Sequence, residues 1–98
     1  MFEISLFDIF KDWLHDLRDQ QAKARILSRI RSAGFGNLGD VEAVDEGISE
    51  LRIHTGPGYR VYFIRRGKTL ILLLVGGDKS TQKKDIELAK KMARSLKE

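Results

Sequence analysis

The fold of this chain is decided by residues 48–66, which read ISELRIHTGPGYRVYFIRR. Apolar and polar residues alternate on both sides of Thr55-Gly56-Pro57-Gly58, a strong turn signal, as they do in a hairpin of two half-buried strands. One face of the predicted pair receives the apolar side chains of Leu51, Ile53, Tyr59, Val61 and Phe63. The other face receives a mixed set: Glu50, Arg52, His54, Arg60, Tyr62 and Ile64. The stretch therefore predicts an antiparallel hairpin whose second face brings these four side chains near one another: Arg52, His54, Arg60 and Tyr62.

Further strands are predicted on both sides of the hairpin. Arg66-Gly67-Lys68 is a tight-turn signal that leads into the unbroken apolar run Leu70–Val75. A run without alternation is typical of a central strand covered on both faces, and Gly76-Gly77 is expected to end it. Residues 2–5 fit a short first strand.

Three stretches have the spacing of amphipathic helices. Over residues 6–18, with Ser5 at the N-cap position, the inward side chains are Leu6, Phe10, Trp13, Leu14 and Leu17. Over residues 20–33, with Gly34 placed as a C-cap glycine, they are Ala22, Ile26, Leu27, Ile30 and Ala33. The outer side of this second helix includes Lys23, Arg25, Arg29 and Arg31. The last helix runs from Ser80 to Leu96 and turns inward Ile86, Ala89, Ala93 and Leu96.

These elements predict an α/β (α+β) fold with a single domain over residues 1–98. The first two helices form a hairpin that packs on a mainly antiparallel sheet, and a C-terminal helix follows the sheet. Because the apolar stripes of the first two helices have no other partner, we expect one core to contain Trp13, Leu27 and Leu72. Part of the opposite sheet face is expected to stay open to a partner.

Composition excludes several classes of protein. The chain has 98 residues, of which 42% are hydrophobic and 33% charged, and this fits one globular domain rather than a disordered chain. Its longest apolar run is far shorter than the ~20 residues of a membrane helix, and no secretory signal is visible. With no cysteine and two scattered histidines, neither a metal site nor a cofactor is expected. The prediction is a cytoplasmic protein without a membrane partner.

Charge is distributed unevenly along the chain. The formal net charge of +4 is the sum of −3 over residues 1–48, with 6 basic and 9 acidic residues, and +7 over residues 49–98, with 12 basic and 5 acidic residues. A basic second half favours a polyanionic partner, and nucleic acid is the first expectation. The alternative at this point is a solvated, lysine-rich helix.

A cationic cluster is the candidate functional site. Basic residues on successive predicted elements meet at one edge of the sheet: Arg52, Arg60, Lys79, Lys83 and Lys84. Guanidinium groups bind phosphate oxygens in a bidentate manner, and lysine adds a compact point charge. On the same face Tyr62 offers a ring on which a base stacks, and His54 ends the strand beside Arg52. The alternative is that these cations occupy the solvent positions of alternating strands.

Familiar enzyme signatures do not occur in the sequence. There is no phosphate-binding loop followed by Lys-Ser/Thr, and there is no G-x-S-x-G nucleophile motif. Any chemistry must therefore come from the cationic cluster itself.

Several motifs resemble one family. They are Glu50-Leu51-Arg52-Ile53, Gly56-Pro57-Gly58-Tyr59-Arg60-Val61-Tyr62-Phe63, the stretch LLVGGDKSTQ at residues 73–82, and Asp85-Ile86. Further matches are Phe10, Trp13, Leu14 and Gly36-Asn37-Leu38-Gly39-Asp40. With these motifs spread over nearly the whole chain, the sequence resembles the addiction-module killer proteins, a branch of the RelE/ParE toxin superfamily close to the HigB toxins.

The resemblance implies the toxin of a type II toxin–antitoxin module, neutralised by a cognate helix-turn-helix antitoxin. It implies a metal-independent endoribonuclease that cuts mRNA on the ribosome by attack of a ribose 2′-hydroxyl on the adjacent phosphate, and thereby inhibits translation. On this resemblance Arg60, which is expected to face outward, binds the scissile phosphate, with Arg52 and Lys79 beside it in the catalytic site. The candidate RNA-binding residues are His54, Tyr62, Gln82 and Lys83, although Gln82 and Asp85 are equally placed to cap the last helix.

Departures from the family leave the general acid and base open. The C-terminal tyrosine and arginine of RelE have no match in the lysine-rich last helix, and the C-terminal histidine of some HigB toxins is absent. His54 and Tyr62 are the candidates for proton transfer. ParE-like members of the superfamily inhibit DNA gyrase without cutting RNA, so a non-catalytic gyrase inhibitor is the alternative function. An inactive module that binds RNA or antitoxin is a third.

Overall fold

The computed structural model describes residues 1–68 and 70–96. In chain order its elements are β1 (Glu3–Leu6), α1 (Asp8–Asp16), α2 (Gln20–Gly34), β2 (Val41–Asp45), β3 (Ile48–Ile53), β4 (Tyr59–Arg66), β5 (Leu70–Asp78), a 3₁₀ turn (Lys79–Thr81) and α3 (Gln82–Leu96). The predicted mixture of helices and strands with a C-terminal helix is confirmed. The short first strand expected at residues 2–5 is β1, so the helical pair follows a strand and is not N-terminal. None of the helices in the described ranges has the length and apolar character that a membrane crossing requires.

The strands form one sheet in the order β1-β5-β4-β3-β2. β1 runs parallel to β5 and the other neighbours run antiparallel, so the predicted mainly antiparallel sheet is confirmed. β3 and β4 form the predicted hairpin, in which Arg52 lies opposite Arg60 and Glu50 lies opposite Tyr62. The edge strand β2 is not predicted from the sequence, because Val41–Asp45 is short, mostly exposed and bulged against β3.

Helices α1 and α2 cover one face of the sheet. The core beneath them combines Phe10 and Leu14 of α1 with the predicted apolar face of the hairpin, which includes Val61 and Phe63. Four predicted inward residues of α2 are buried here: Ala22, Ile26, Ile30 and Ala33. The fifth, Leu27, is 46% exposed, so its inward assignment is wrong.

Helix α3 covers the opposite face of the sheet. Its Ala89 and Ala93 pack against Tyr62 and Leu74 in a second core. The expectation of a partly open face is therefore wrong, because the apolar stripe of α3 needs a surface to bury against and this face provides it. β5 lies between the two cores, and its prediction as a strand covered on both sides is confirmed.

The two-sided core also overturns the expectation about Trp13, Leu27 and Leu72. Trp13 packs against the first core, Leu72 belongs to the second, and Leu27 faces solvent. The physical reason is that the first two helices need only one face of the sheet, and successive residues of a central strand point to opposite faces.

Gly76 and Gly77 lie inside β5, paired with Val61 and Arg60 of β4, so the prediction that they end the strand is wrong. Glycine is required at both positions because side chains from the two helical layers approach the strand too closely to leave room for a Cβ atom. A Cβ atom on Gly76 would lie 2.2 Å from the ring of Trp13, and one on Gly77 would lie 1.8 Å from a carboxylate oxygen of Asp85.

The ends of the first two helices differ from the prediction in detail. Ser5 lies within β1, and Phe7 occupies the N-cap position of α1 without a side-chain hydrogen bond. Helix α2 has a true cap, because the Asp19 carboxylate accepts a hydrogen bond from the Ala22 amide at 3.1 Å. Gly34 is the last residue of α2, and it is Gly36, with φ +96°, that takes the left-handed conformation after the helix.

Candidate functional site

The predicted site residues gather where the β3–β4 hairpin turns and α3 begins, but they form two separate groups. The predicted proximity of Arg52 and Arg60 is confirmed, since they are opposite one another in the ladder. Each guanidinium nevertheless has its own carboxylate partners. We describe the groups as the Asp40 cluster (Asp40, Glu42, Arg52, His54) and the Glu50 cluster (Glu50, Arg60, Gln82).

In the Asp40 cluster, Arg52 is shared between two carboxylates. Its Nη2 donates to Asp40 Oδ1 at 2.9 Å and its Nη1 donates to Glu42 Oε2 at 2.6 Å. His54 Nε2 hydrogen-bonds the other Asp40 oxygen, Oδ2. Hydrogen bonds from His54 and then from Arg52 hold the pKa of the Asp40 carboxyl below its usual value, and Asp40 in turn raises the pKa of Arg52. A phosphate would have to compete with both carboxylates for Arg52.

Arg29 of α2 fixes the loop that carries Asp40. Its Nη1 donates to the Arg52 carbonyl at 2.6 Å, and its Nη2 donates to the carbonyls of Leu38 and Asp40 at 3.0 and 3.2 Å. The outer position predicted for Arg29 is therefore wrong. Its guanidinium binds three backbone carbonyls and so ties the end of the loop to α2.

In the Glu50 cluster, Arg60 is largely buried. Its Nε lies 3.0 Å from Glu50 Oε2, and the two side chains are only 13% and 7% exposed. The contact is an ion pair whose N–H direction misses hydrogen-bond geometry. Gln82 of α3 donates to the same Glu50 oxygen at 3.4 Å. The expectation that Arg60 faces outward is wrong, because α3 covers this face of the sheet.

The far end of the Arg60 guanidinium lies at the hairpin turn. Nη1 donates to the Gly58 carbonyl at 3.4 Å. A Cβ atom on Gly58 would lie 3.9 Å from both Arg60 Nη1 and Lys79 Cβ, so these two cationic residues flank the same glycine. The structure therefore places Arg60 Nη1 and the base of the Lys79 side chain on either side of one glycine.

Tyr62 is fully buried beneath α3, and the prediction that its ring stacks on a base is wrong. Its hydroxyl has no hydrogen-bond partner within the described ranges. Burial, with a smaller contribution from the Glu50 carboxylate, raises the pKa of the phenol far above its ordinary value. Tyr62 thus keeps its proton and is shielded from any substrate.

The start of α3 presents lysines to solvent. Lys79, Lys83 and Lys84 are exposed, and Lys83 and Lys84 border an open surface hollow of about 430 Å³ together with Ser80 and Thr81. In residues 1–68 and 70–96, none of these three lysines forms an ion pair. They are the part of the predicted cationic cluster that keeps its charge available.

Gln82 and Asp85, the alternative caps predicted for the last helix, make other contacts, and a different residue caps the turn before that helix. Asp78 caps the 3₁₀ turn by accepting from the Ser80 amide at 2.8 Å. Gln82 instead contacts Glu50. Asp85 is buried and accepts a hydrogen bond from Thr81 Oγ1 at 2.6 Å, and its burial raises the pKa of its carboxyl.

Three carboxylates of the site were not predicted from the sequence: Asp40, Glu42 and Glu50. Glu50 could have been found, because alternation already places it on the face of Arg60 and Tyr62. Asp40 and Glu42 lie on a loop and on an edge strand whose pairing has no clear sequence signal. His54 links the Asp40 cluster to a groove of about 320 Å³ between α2 and the end of β3, lined also by Arg25, Ser28, Arg29 and Ile53.

Residues 12–94 match the family model described as Phage derived protein Gp49-like (DUF891). The chain belongs to this family. Gp49-like proteins are a RelE/addiction-module toxin-like family, and the matched range contains both clusters. A relative from Haemophilus influenzae (strain ATCC 51907 / DSM 11121 / KW20 / Rd), described as an uncharacterized protein, is 52% identical over 87 residues, which is 89% of this chain and 88% of the relative. The Gp49-like family also gives an antitoxin as the expected kind of partner.

Proposed function

We propose that this Gp49-like protein is the toxin of a type II toxin–antitoxin module, of the HigB-like branch, and that it inhibits translation in the cytoplasm by cutting mRNA on the ribosome. The observation that carries the proposal is the pairing of Arg60 and Lys79 at Gly58. Arg60 Nη1 and the Cβ of Lys79 lie beside the same glycine there, and Lys79 forms no ion pair within the described residues.

Glu50 makes Arg60 suitable for binding a phosphate in one orientation. Glu50 pairs with Nε at 3.0 Å and Nη1 donates to the Gly58 carbonyl, so Nη2 is the nitrogen that a phosphate would approach. A cation fixed before the reaction stabilises the charge that develops on the phosphate without having to reorganise. Lys79 supplies a second cation at the same place, and Lys83 extends the positive surface along α3 for the flanking RNA.

The resemblance to RelE-like toxins supplies the chemistry. The 2′-hydroxyl of the upstream nucleotide attacks the phosphate, and the 5′-oxygen of the next nucleotide leaves. The ribosome holds the mRNA in the required in-line geometry, so that the toxin contributes charge and proton transfer. A helix-turn-helix antitoxin with an acidic or apolar segment would neutralise the toxin by covering the Arg60–Lys79 end or the groove beside α2.

The test uses purified protein, ribosomes stalled on a defined mRNA, and sequencing of new RNA ends. We expect a cut in the message that leaves a 5′-hydroxyl end, and no cut in the same mRNA without ribosomes. Lys79→Gln should slow the cut, whereas the matched exposed variant Lys11→Gln on α1 should not. An intact message combined with stalled gyrase and DNA breaks would reject the ribonuclease and favour a ParE-like inhibitor.

A further inference from the structure

His54 is held in a fixed orientation although its side chain is 74% exposed. Its Nε2 is hydrogen-bonded to Asp40 Oδ2, and Nδ1 has no hydrogen-bond partner among the described residues. A histidine whose one nitrogen is bonded to a carboxylate has its tautomer and ring plane set by that bond. An exposed side chain with no role in packing does not need such an arrangement for the fold.

Asp40 is itself fixed from three directions. Its Oδ1 accepts from Arg52 Nη2 at 2.9 Å and from Arg52 Nε at 3.2 Å. Its carbonyl accepts from the Arg52 amide at 2.9 Å and from Arg29 Nη2 at 3.2 Å. The two oxygens of the carboxylate are thereby divided, one for Arg52 and one for His54. Because Arg52 holds one oxygen of Asp40 in place, the other oxygen can fix the orientation of the His54 imidazole.

His54 lies at the same end of the β3–β4 hairpin as Arg60. His54 and Arg60 stand on the two sides of the same turn, residues 55–58, and the ring borders the groove between α2 and β3. The charged groups around the ring are Asp40, Glu42 on β2, Arg52 on β3, and Arg25 and Arg29 on α2. Of these, Asp40 alone bonds the ring within the described residues.

We propose that His54 is the general base of this toxin and that Asp40 is the positioning residue that orients it; the proposal rests on the ribonuclease function proposed above. His54 Nδ1 removes the proton of the ribose 2′-hydroxyl. The 2′-oxygen forms a bond to the adjacent phosphorus, the bond from phosphorus to the 5′-oxygen breaks, and the leaving oxygen takes a proton from water. The products are a 2′,3′-cyclic phosphate and a 5′-hydroxyl. The charge of the resulting imidazolium is balanced by Asp40.

The test measures single-turnover cleavage at saturating ribosome-bound mRNA. His54→Gln should lower the rate by about 10²–10⁴-fold, as loss of a general base does. Asp40→Asn should lower it by about 10²-fold through misorientation of the ring, with unchanged affinity for the ribosome. Asp45→Asn is the matched control, because it removes a carboxylate of the neighbouring strand β2 that binds Lys90 and belongs to neither cluster, and it should cleave at the parent rate.

Two measurements distinguish a positioning role of Asp40 in catalysis from a purely structural role. The double variant Asp40→Asn/His54→Gln should be no slower than His54→Gln alone, because Asp40 acts through His54. A further loss in the double variant would overturn the role of Asp40. A substrate with a 5′-sulfur leaving group, which needs no general acid, should not rescue His54→Gln; rescue would overturn the assignment of His54 as the base.

The outcomes also distinguish the two levels of the proposal. If the parent protein cuts mRNA and both single variants cut at the parent rate, the role of the Asp40–His54 pair is wrong while the ribonuclease function stands. If the parent protein does not cut mRNA on ribosomes at all, both are wrong.

Discussion

Because Arg60 forms a buried ion pair with Glu50, a mutation of Arg60 changes the stability of the protein as well as its activity. Arg60→Ala would leave a carboxylate that is 7% exposed without its cation. Breaking a buried pair on one side costs about 3–5 kcal/mol. We therefore expect Arg60→Ala to lower the free energy of unfolding in urea by about 3 kcal/mol. A variant of Arg60 alone would thus confuse lost activity with lost stability.

The control for this prediction removes both partners. Arg60→Met/Glu50→Gln should recover most of the lost stability, because no unpaired buried charge remains. Asp16→Asn, which breaks an exposed contact with His15, should change stability by less than about 0.5 kcal/mol. If Arg60→Ala is as stable as the parent protein, the ion pair with Glu50 is not formed in solution.

Asp85 predicts a pH dependence of stability. Burial raises the pKa of its carboxyl above the ordinary value of 3.8, although the hydrogen bond from Thr81 opposes the shift. The folded chain therefore keeps this proton at pH values where the unfolded chain has lost it. It follows that this contribution is complete below 3.8 and declines as the pH rises through the folded-state value. Asp85→Asn, which is neutral throughout, should raise the urea midpoint at pH 7 and have its smallest effect at pH 3.5.

At the scale of the element, the glycines of β5 let two layers approach the sheet. Gly76→Ala would place a methyl group 2.2 Å from the Trp13 ring inside a paired strand that cannot shift. We expect a loss of about 1–3 kcal/mol in urea unfolding, the usual cost of overpacking. Gly34→Ala is the matched control: its new Cβ would have no neighbour nearer than 3.6 Å, so it should be neutral or slightly stabilising. A stable Gly76→Ala protein would show that α1 does not sit on β5 this closely.

The β3–β4 hairpin could be predicted from the sequence down to its two faces, because alternation and a Gly-Pro-Gly turn are both local signals. Local signals end there. The burial of Tyr62 and Arg60 depends on the packing of α3 across the mixed face of the sheet, which is a long-range contact. Alternation of polar and apolar residues along a strand does not distinguish a solvated face from one that a helix covers. The cations of the site could be predicted, and so could the shared face of Glu50 and Arg60, but not the burial of that pair under α3. Asp40, the partner of Arg52, lies on a loop whose position has no local sequence signal.

For the whole molecule, folding redistributes the uneven charge of the sequence. Acidic residues of the first half are the partners of basic residues of the second half: Asp40 and Glu42 bind Arg52, Asp45 binds Lys90, and Glu46 binds Arg94. Four carboxylates on or beside β2 therefore offset part of the +7 excess of the second half by pairing with three of its cations. The lysines at the start of α3, Lys79, Lys83 and Lys84, form no such ion pair within the described residues.

This distribution predicts where the salt dependence of RNA binding originates. Lys83→Gln should weaken binding of a labelled single-stranded RNA at low salt, and the slope of log K against log salt concentration should fall by about 0.7 for the lost phosphate contact. Lys11→Gln carries the same change of charge on α1 and should leave the slope unchanged. Equal slopes for the two variants would contradict a phosphate-binding role for the start of α3.

Trp13 is the single tryptophan of the chain, and its ring rests on Gly76 while its edge meets Tyr59 at a centroid distance of 6.1 Å. The fluorescence of Trp13 therefore reports on the contact between α1 and β5, the strand that precedes the lysines of the site. Its emission should shift to longer wavelength when α1 separates from the sheet. An antitoxin segment that docks beside the N-terminal helices should alter that emission without any added dye, so assembly of the complex can be followed in the unmodified protein.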